Sequence, residues 1–433
     1  MKKISIIFLL FIFLFIFNLI IFAQEQDNKF FDMSMYMGNA VINGVTYFTI
    51  SLRPTLTFGK FSIGFDLYFE LDQNANLRKE GDKYVGWATW QDWINKILFI
   101  QYGFKGEPIY AKIGVIEDAT LGHGLIMQNY SNALYFPEIR KTGFAFDLDG
   151  LLFNFPYVGF ESFIDDLKDP DIFGFRIYTR PLLFLQVPII NQLRLGFSIV
   201  SDTDPLSTSP YTDSSSKDDV VTISGIDFDI PIINNDIISS LYFFDVGFIK
   251  GKGSGLKTGI HSLFIKTIGL GVEILNYQDK FIAPYFDLLY ENVDIRNNKY
   301  NALDSVTGYF GFRVFAYLNI LKDIIFTYAE ISGPFNKPSV KPYFIGTIAL
   351  NEGLIPFLSF RLFFIRSNIE KFSDIYTWND PQALLNSYLK MEIKLIPGSG
   401  TASITLSYEI KYKIENGVVV KVATSYFTTG IQF

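Results

Sequence analysis

Two sets of charged residues sit in apolar surroundings. Arg53, Lys112, Arg176, Arg180, Arg194, Arg313 and Arg361 form the basic set, and Asp66, Glu70, Asp147, Asp245, Glu273, Asp287 and Glu291 the acidic one. Each lies on the polar row of a segment whose alternate residues are apolar. A charge at membrane depth is tolerated only where it faces water or an opposite charge, so these rows describe the lining of a wet passage. Ion pairing across a wall is the competing use of the same residues.

Hydrolytic chemistry has one candidate, His123 within Leu121-Gly122-His123-Gly124, with Ser131 or Asp118 as partner. The flanking glycines point instead to a tight backbone path, and no nucleophile motif accompanies the histidine. His261 beside Ser262 has no better case. With no cysteine, the chain has no thiol nucleophile, cysteine zinc site or disulfide framework. Asp202-Thr203-Asp204 and the acidic run from Asp213 to Asp219 have the oxygen ligands that Ca²⁺ takes, but solvated acidic loops look the same. Trp87, Trp90 and Trp93 suit an aromatic platform or an interfacial belt. No catalytic residue, cofactor or metal is assigned, and an enzyme is not expected.

The elements that must carry these residues show in strict alternation. From Thr46 to Phe58, Phe48, Ile50, Leu52, Pro54, Leu56 and Phe58 share one face and Thr49, Ser51, Arg53 and Thr55 the other. Gly59-Lys60 turns the chain, and Phe61 to Leu71 answers in kind. The same grammar predicts strands near 29–37, 97–104, 108–116, 143–149, 151–160, 172–180, 192–201, 221–230 and 238–249. It continues at 258–276, 281–291, 305–317, 323–331, 341–350, 356–366, 386–396, 401–413 and 417–433. The total is about twenty strands, with eighteen to twenty-two compatible. The first strand, around Met33, Met35 and Met37, is weak, and 258–276 is taken as one long strand. Connections 72–96, 117–142, 161–171, 202–220, 292–304, 332–340 and 367–385 fall on one side, and tight turns such as 59–60, 105–106, 149–150, 277–280 and 397–400 on the other. This is an all-β transmembrane antiparallel up-and-down pattern, because nearly every segment carries an apolar face.

Composition agrees. Aromatics are 17% and charged residues only 19%, below the usual quarter or so for soluble domains. Lys2-Lys3 and the apolar run Ile4–Phe22 ending in Ala23 read as a signal peptide, residues 1–23, cleaved before a single domain 24–433. Loss of both lysines takes the formal charge from −7 to −9, which argues against nucleic acid.

The closing hairpin, alternating from Thr401 to Lys413, turning at Glu415-Asn416-Gly417 and ending on Phe433, resembles the last strands of bacterial outer-membrane β-barrels. In that class the terminal aromatic is read by the assembly machinery, which makes Phe427, Ile431 and Phe433 the assembly signal. The resemblance implies outer-membrane lipid, the barrel assembly machinery and periplasmic chaperones as partners, with a homo-oligomer open. The connection 117–142 carries Leu121, Leu125, Ile126, Met127, Leu134, Tyr135 and Phe136, too apolar to stand in water, so inward folding is expected. As the third external connection it resembles the loop that narrows general porins. That makes Glu117, Asp118, His123 and Glu138 constriction candidates opposite Arg176, Arg180 and Arg194. The expected function is a porin-like channel for passive diffusion of small hydrophilic solutes. The alternatives are a surface, adhesin or structural barrel plugged by 117–142, a hydrophobic-compound transporter, and an outer-membrane hydrolase.

Overall fold

A computed structural model describes residues 30–42, 45–134, 140–207, 219–321, 324–335, 340–351, 354–355, 357–380, 382–384, 387–395, 402–415 and 418–431. The expected signal peptide, Glu138 and Phe433 lie outside them. The chain divides into two compact units, Met1–Gly103 with Lys394–Leu406 and Tyr426–Phe433, and Phe104–Ile393 with Ser407–Ser425.

In the first unit, Phe31–Ile42 pairs antiparallel with Val45–Phe58, placing Met33 opposite Pro54 and Met35 opposite Leu52. The weak first strand is therefore formed. Val45–Phe58 pairs in turn with Phe61–Phe65 and Leu67–Leu71, one traverse interrupted at Asp66. Asp66 breaks the ladder because it is buried and takes a short hydrogen bond from Ser51, with Arg53 at 3.4 Å. The connection after Leu71 holds Trp87, whose indole donates to the Tyr68 carbonyl at 3.1 Å and stacks on Phe69 at 4.6 Å, while Trp90 and Trp93 are exposed.

In the second unit an unbroken antiparallel meander starts with Ile109–Gly114, Gly143–Asp149, Val158–Ile164, Ile172–Thr179 and Arg194–Asp202. It continues through Val221–Asn234, Ile238–Ile249, Ser254–Phe264 and Ile268–Tyr277. Tyr309–Ile320, Ile325–Pro334, Tyr343–Leu350 and Leu358–Arg366 follow. Counted with the interrupted traverse as one, and with the short hairpin Lys79–Glu80 and Lys83–Tyr84 set apart, the described strands of the main sheet number twenty. The fold class is all-β, transmembrane, antiparallel and up-and-down.

Two errors of expectation cancel in that count. Residues 258–276 are not one strand but parts of two, turned at Ile265 and Lys266, both with left-handed φ of 45° and 56°. Neither is the glycine or asparagine that marks such turns, so the hairpin carried no local signature. Residues 281–291 form no strand; they belong to a long connection, 278–308, containing the helix Val293–Ala302. Residues 277–280 are accordingly the start of a long excursion and not a tight turn. In the second unit the four longest connections, 115–142, 203–220, 278–308 and 367–387, all follow strands of one direction; the longest after strands of the other direction is 180–193.

Burial runs opposite to that of a soluble sheet. On Val221–Asn234, Ile226 is 57% exposed while Asp227 is 2% exposed; on Ile268–Tyr277, Val272 is 54% exposed and Glu273 fully buried. Arg176 is buried next to exposed Ile177. An apolar face left open and a charged face covered is stable only where the open face meets hydrocarbon.

Candidate functional site

The covered polar face of the second unit holds two inserted segments. The first leaves Ile109–Gly114 and returns at Gly143, its limbs joined by hydrogen bonds between Ala119 and Tyr130 at 2.8 and 2.9 Å. Asn132 ties the neck, its side-chain oxygen accepting from the Ile116 amide at 2.8 Å. Between the limbs the chain turns at Gly122 and Gly124, with φ of 57° and 81°. A Cβ on Gly122 would lie 3.1 Å from an Asp227 oxygen, so these glycines give the tip its close approach to the wall.

The tip is pinned by the wall's charges. His123 Nε2 lies 3.2 Å from Asp229 and its ring stacks on Phe243 at 4.5 Å. Lys257 Nζ donates to the His123 carbonyl at 2.5 Å, and the Leu125 amide donates to Asp245 at 3.3 Å. Leu125, Ile126 and Met127 are buried, and Gly225 makes room for Ile126, since a Cβ there would stand 2.7 Å from Ile126 Cδ1.

The second insert, 278–308, zips onto the first. The Gln128 amide donates to the Phe286 carbonyl at 2.9 Å and the Phe286 amide to Ile126 at 3.2 Å. Phe281, Tyr285, Phe286 and Tyr290 are buried with Met127, Tyr130 and wall residues Phe163, Ile172, Val200, Ile223 and Leu275 in one apolar cluster. Polar pins surround it. Tyr290 donates to Asp202 at 2.8 Å, Tyr130 makes a short hydrogen bond to Glu291, and Lys141 bridges Asp165 and Glu291 at 2.8 Å each. Burial, then Glu291, raises the Tyr130 phenol well above its ordinary pKa; burial, then Asp202, does the same for Tyr290. Both therefore stay protonated donors. Asn292 caps the helix Val293–Ala302, accepting from the Ile295 amide at 3.1 Å.

The candidate residues divide by partner. Arg176 holds Asp227 with two bonds at 2.9 and 2.6 Å and Glu161 at 3.1 Å. Arg180 pairs with Asp149 at 2.6 Å, Arg194 with Asp229 at 3.0 Å, and Arg313 with both Glu273 and Glu330 at 2.8 Å. Glu70 pairs with Arg78 at 2.6 Å. The three arginines expected to face the loop acids thus face wall carboxylates. Glu117 and Asp118 are exposed at the neck, where the Asp118 carbonyl accepts from Lys105 at 3.2 Å. Asp287 and Glu291, expected on a strand, are insert residues; Asp287 holds Lys299 at 2.5 Å. Lys112, Asp147 and Asp245 lie on strands as expected, and Arg361 is exposed on the face that also carries Glu330. Phe427 and Ile431 lie on the strand Val418–Ile431.

Among the described residues, His123, Asp227 and Asp229 bring one ligand atom each within 4.8 Å. Both carboxylates are already gripped by Arg176 and Arg194, so the donor set fits an ion-pair network and not a cation. His123 has Asp229 and Phe243 as neighbours, whereas Ser131 donates to the Ile116 carbonyl at 3.2 Å, down at the neck. Asp202 is taken by Tyr290, Asp219 accepts from Tyr300 at 3.1 Å, and residues 208–218 lie outside the described residues. His261 pairs with Glu273 at 2.8 Å.

The second insert is what sequence reasoning missed. Its signal was available: Pro284 in mid-strand, and Phe281, Tyr285, Phe286 and Tyr290 spaced by about a helical turn instead of by two.

No family model matches the chain, and no curated protein matches it. Solved structures similar in fold include the FrpB iron transporter from Neisseria meningitidis, with TM-score 0.39 and 9% identity over 95% of this chain and 83% of that one. Pseudomonas aeruginosa OccK5 (OpdH) aligns at TM-score 0.38 and 8% identity over 93% and 97%. CdiB from Acinetobacter baumannii aligns at TM-score 0.31 and 6% identity over 94% of this chain, which spans only 61% of CdiB.

Proposed function

We propose that this chain is an outer-membrane channel for passive passage of small hydrophilic solutes, narrowed by the paired inserts 115–134 and 278–308. The observation that carries this reading is the inverted burial, apolar residues open to lipid and charged residues toward the opposite face, with Arg361 exposed on that polar face. A polar, ion-paired wall with accessible charge passes hydrated solutes and offers no continuous apolar track, which disfavours the hydrophobic-compound reading. His123 acts as the tip's anchor in this scheme, with no catalytic step assigned to it.

One observation favours a second reading. The apolar cluster between the inserts and the wall leaves no wet path through itself, as in a non-transporting surface barrel. Reconstitution into planar bilayers separates the two. Discrete conductance steps that grow when residues 121–129 are replaced by a short Gly-Ser linker support the channel. Silence of both proteins, with correct folding, supports the plugged barrel. Outer-membrane location is tested by fractionation, and lipase and protease assays of His123→Ala test the non-catalytic assignment.

A further inference from the structure

The strands of the second unit differ in length. Gly143–Asp149 and Val158–Ile164 have 7 residues each and Ile172–Thr179 has 8, whereas Val221–Asn234 has 14 and Ile238–Ile249 has 12. At about 3.3 Å per residue and a tilt near 45°, the short strands rise roughly 16–19 Å across a membrane and the long ones roughly 28–33 Å. An apolar band about 25 Å tall is covered by the long strands alone and not by the short ones. The shortfall is not filled at the end that carries the four longest connections. There the link between Val158–Ile164 and Ile172–Thr179 holds Asp165, Asp166, Lys168, Asp169 and Asp171, and charge is expelled from hydrocarbon.

The opposite end has the required chemistry. The turns 150–157 and 181–193 contain no charged residue. Leu151, Phe153 and Phe155 on the first and Phe184, Val187 and Ile190 on the second are exposed, Phe153 and Phe184 by 65% each. The turns are neighbours, because the Tyr157 carbonyl accepts from the Arg180 amide at 2.7 Å and the Pro156 carbonyl from the Arg180 side chain at 2.9 Å. Turns between longer strands differ: Asn235-Asp236-Ile237 and Ile265-Lys266-Thr267 each carry a charge. Uncharged apolar turns thus coincide with short strands. Much of their backbone is also satisfied locally, as lipid contact demands. Pro156, Pro181 and Pro188 have no N–H to satisfy. The Phe155 amide donates to Gly150 at 2.9 Å, Leu185 to Leu182 at 3.0 Å and Asn191 to Val187 at 3.1 Å, all to carbonyls within the same connection.

We propose that the turns 150–157 and 181–193 insert into the lipid leaflet at their end of the sheet and complete the hydrophobic height that the short strands lack. The apolar surface they present is continuous with the lipid-facing rows of those strands. The proposal rests on the lipid-facing wall and not on the passage being open. Because the chain has no cysteine, single cysteines can be spin-labelled without background. Phe153→Cys, Phe184→Cys and Ile190→Cys are refolded as full-length protein into dioleoylphosphatidylcholine vesicles, with Val272→Cys as the wall reference and Asp236→Cys as the charged-turn reference. Power saturation in electron paramagnetic resonance compares collisions with oxygen, which concentrates among acyl chains, and with a water-soluble nickel chelate. The oxygen-to-nickel ratio at the three turn sites is expected to lie several-fold above that of Asp236→Cys and toward that of Val272→Cys. Three sites on two turns keep the test decisive if one variant misfolds, which far-ultraviolet circular dichroism reports. Turn labels that read like Asp236→Cys while Val272→Cys reads as lipid overturn the proposal and leave the wall assignment standing. Turn labels shielded from both reagents overturn it as well, in favour of a second copy or another protein seated there. A Val272→Cys label open to the nickel chelate would refute the lipid-facing wall itself, and the proposal with it.

Discussion

Arg176 shows how the wall is held. Its guanidinium is buried, lies flat against Asp227 and reaches Glu161, and the strand opposite carries Gly196, where a Cβ would stand 2.4 Å from an Asp227 oxygen. Removing one partner of a buried pair leaves the other charge unmatched, which costs about 3–5 kcal/mol. Arg176→Ala is therefore expected to lower the urea midpoint sharply, with Arg176→Ala/Asp227→Ala recovering part of the loss; an unshifted midpoint would contradict the pairing. Asp171 tests charge outside the strands. Burial, then Asp169, Asp202 and Asp204, raises its carboxyl to about 6, above the roughly 3.9 of an unfolded chain. The folded state then holds the proton more tightly, so this group contributes stability that grows as pH falls from about 6 toward 4 and is absent above it. Asp171→Asn should raise the melting temperature at neutral pH and flatten its rise on acidification, measured by thermal scans across that window.

At the scale of elements, the two inserts behave as one body because their backbones are joined and their aromatic side chains share one apolar cluster. Phe286 is the centre of that joint, fully buried and bonded to Ile126 and Gln128 through its backbone. Phe286→Ala should cost about 3–5 kcal/mol locally while the strands keep their own ladder. The expected outcome is faster proteolysis within 115–134 and 278–308 with unchanged strand content by circular dichroism; simultaneous loss of both would mean that the inserts are needed for the fold. The pins Lys141, Tyr130 and Tyr290 sit around the same joint. A loop read alone as the constriction is thus half of a composite.

For the molecule as a whole, the inverted burial makes a direct claim about solvent. Val272, Ile226 and Ile177 should face acyl chains. A tryptophan placed by Val272→Trp is expected to be quenched by lipids brominated along their tails, while Trp378 in the connection 367–387 is not; equal quenching of both would refute the assigned face.

The alternation in 46–58, 61–71, 172–180, 221–230, 238–249 and 305–317 was legible because a sheet with hydrocarbon on one side must repeat every second residue. Low charge and abundant aromatics made the membrane reading available from composition. The polar rows were legible too, since each charged candidate on a strand lies on the face opposite the exposed apolar one. Partners were not. Arg176, Arg180 and Arg194 choose Asp227, Asp149 and Asp229 through strand register and the space left at Gly196, which depend on residues up to 51 positions away. The turn at Ile265-Lys266 lacks the residue types that announce left-handed backbone. The second insert announced itself only through Pro284 and through aromatics at 281, 285, 286 and 290 that break the two-residue period. By itself the sequence determined the all-β, lipid-facing class and marked 117–142 as too apolar to stand in water, because periodicity and apolar content are local properties. Only the tertiary structure decided that 278–308 closes over that segment and which charges meet, because side chains distant in the chain find each other through packing and register.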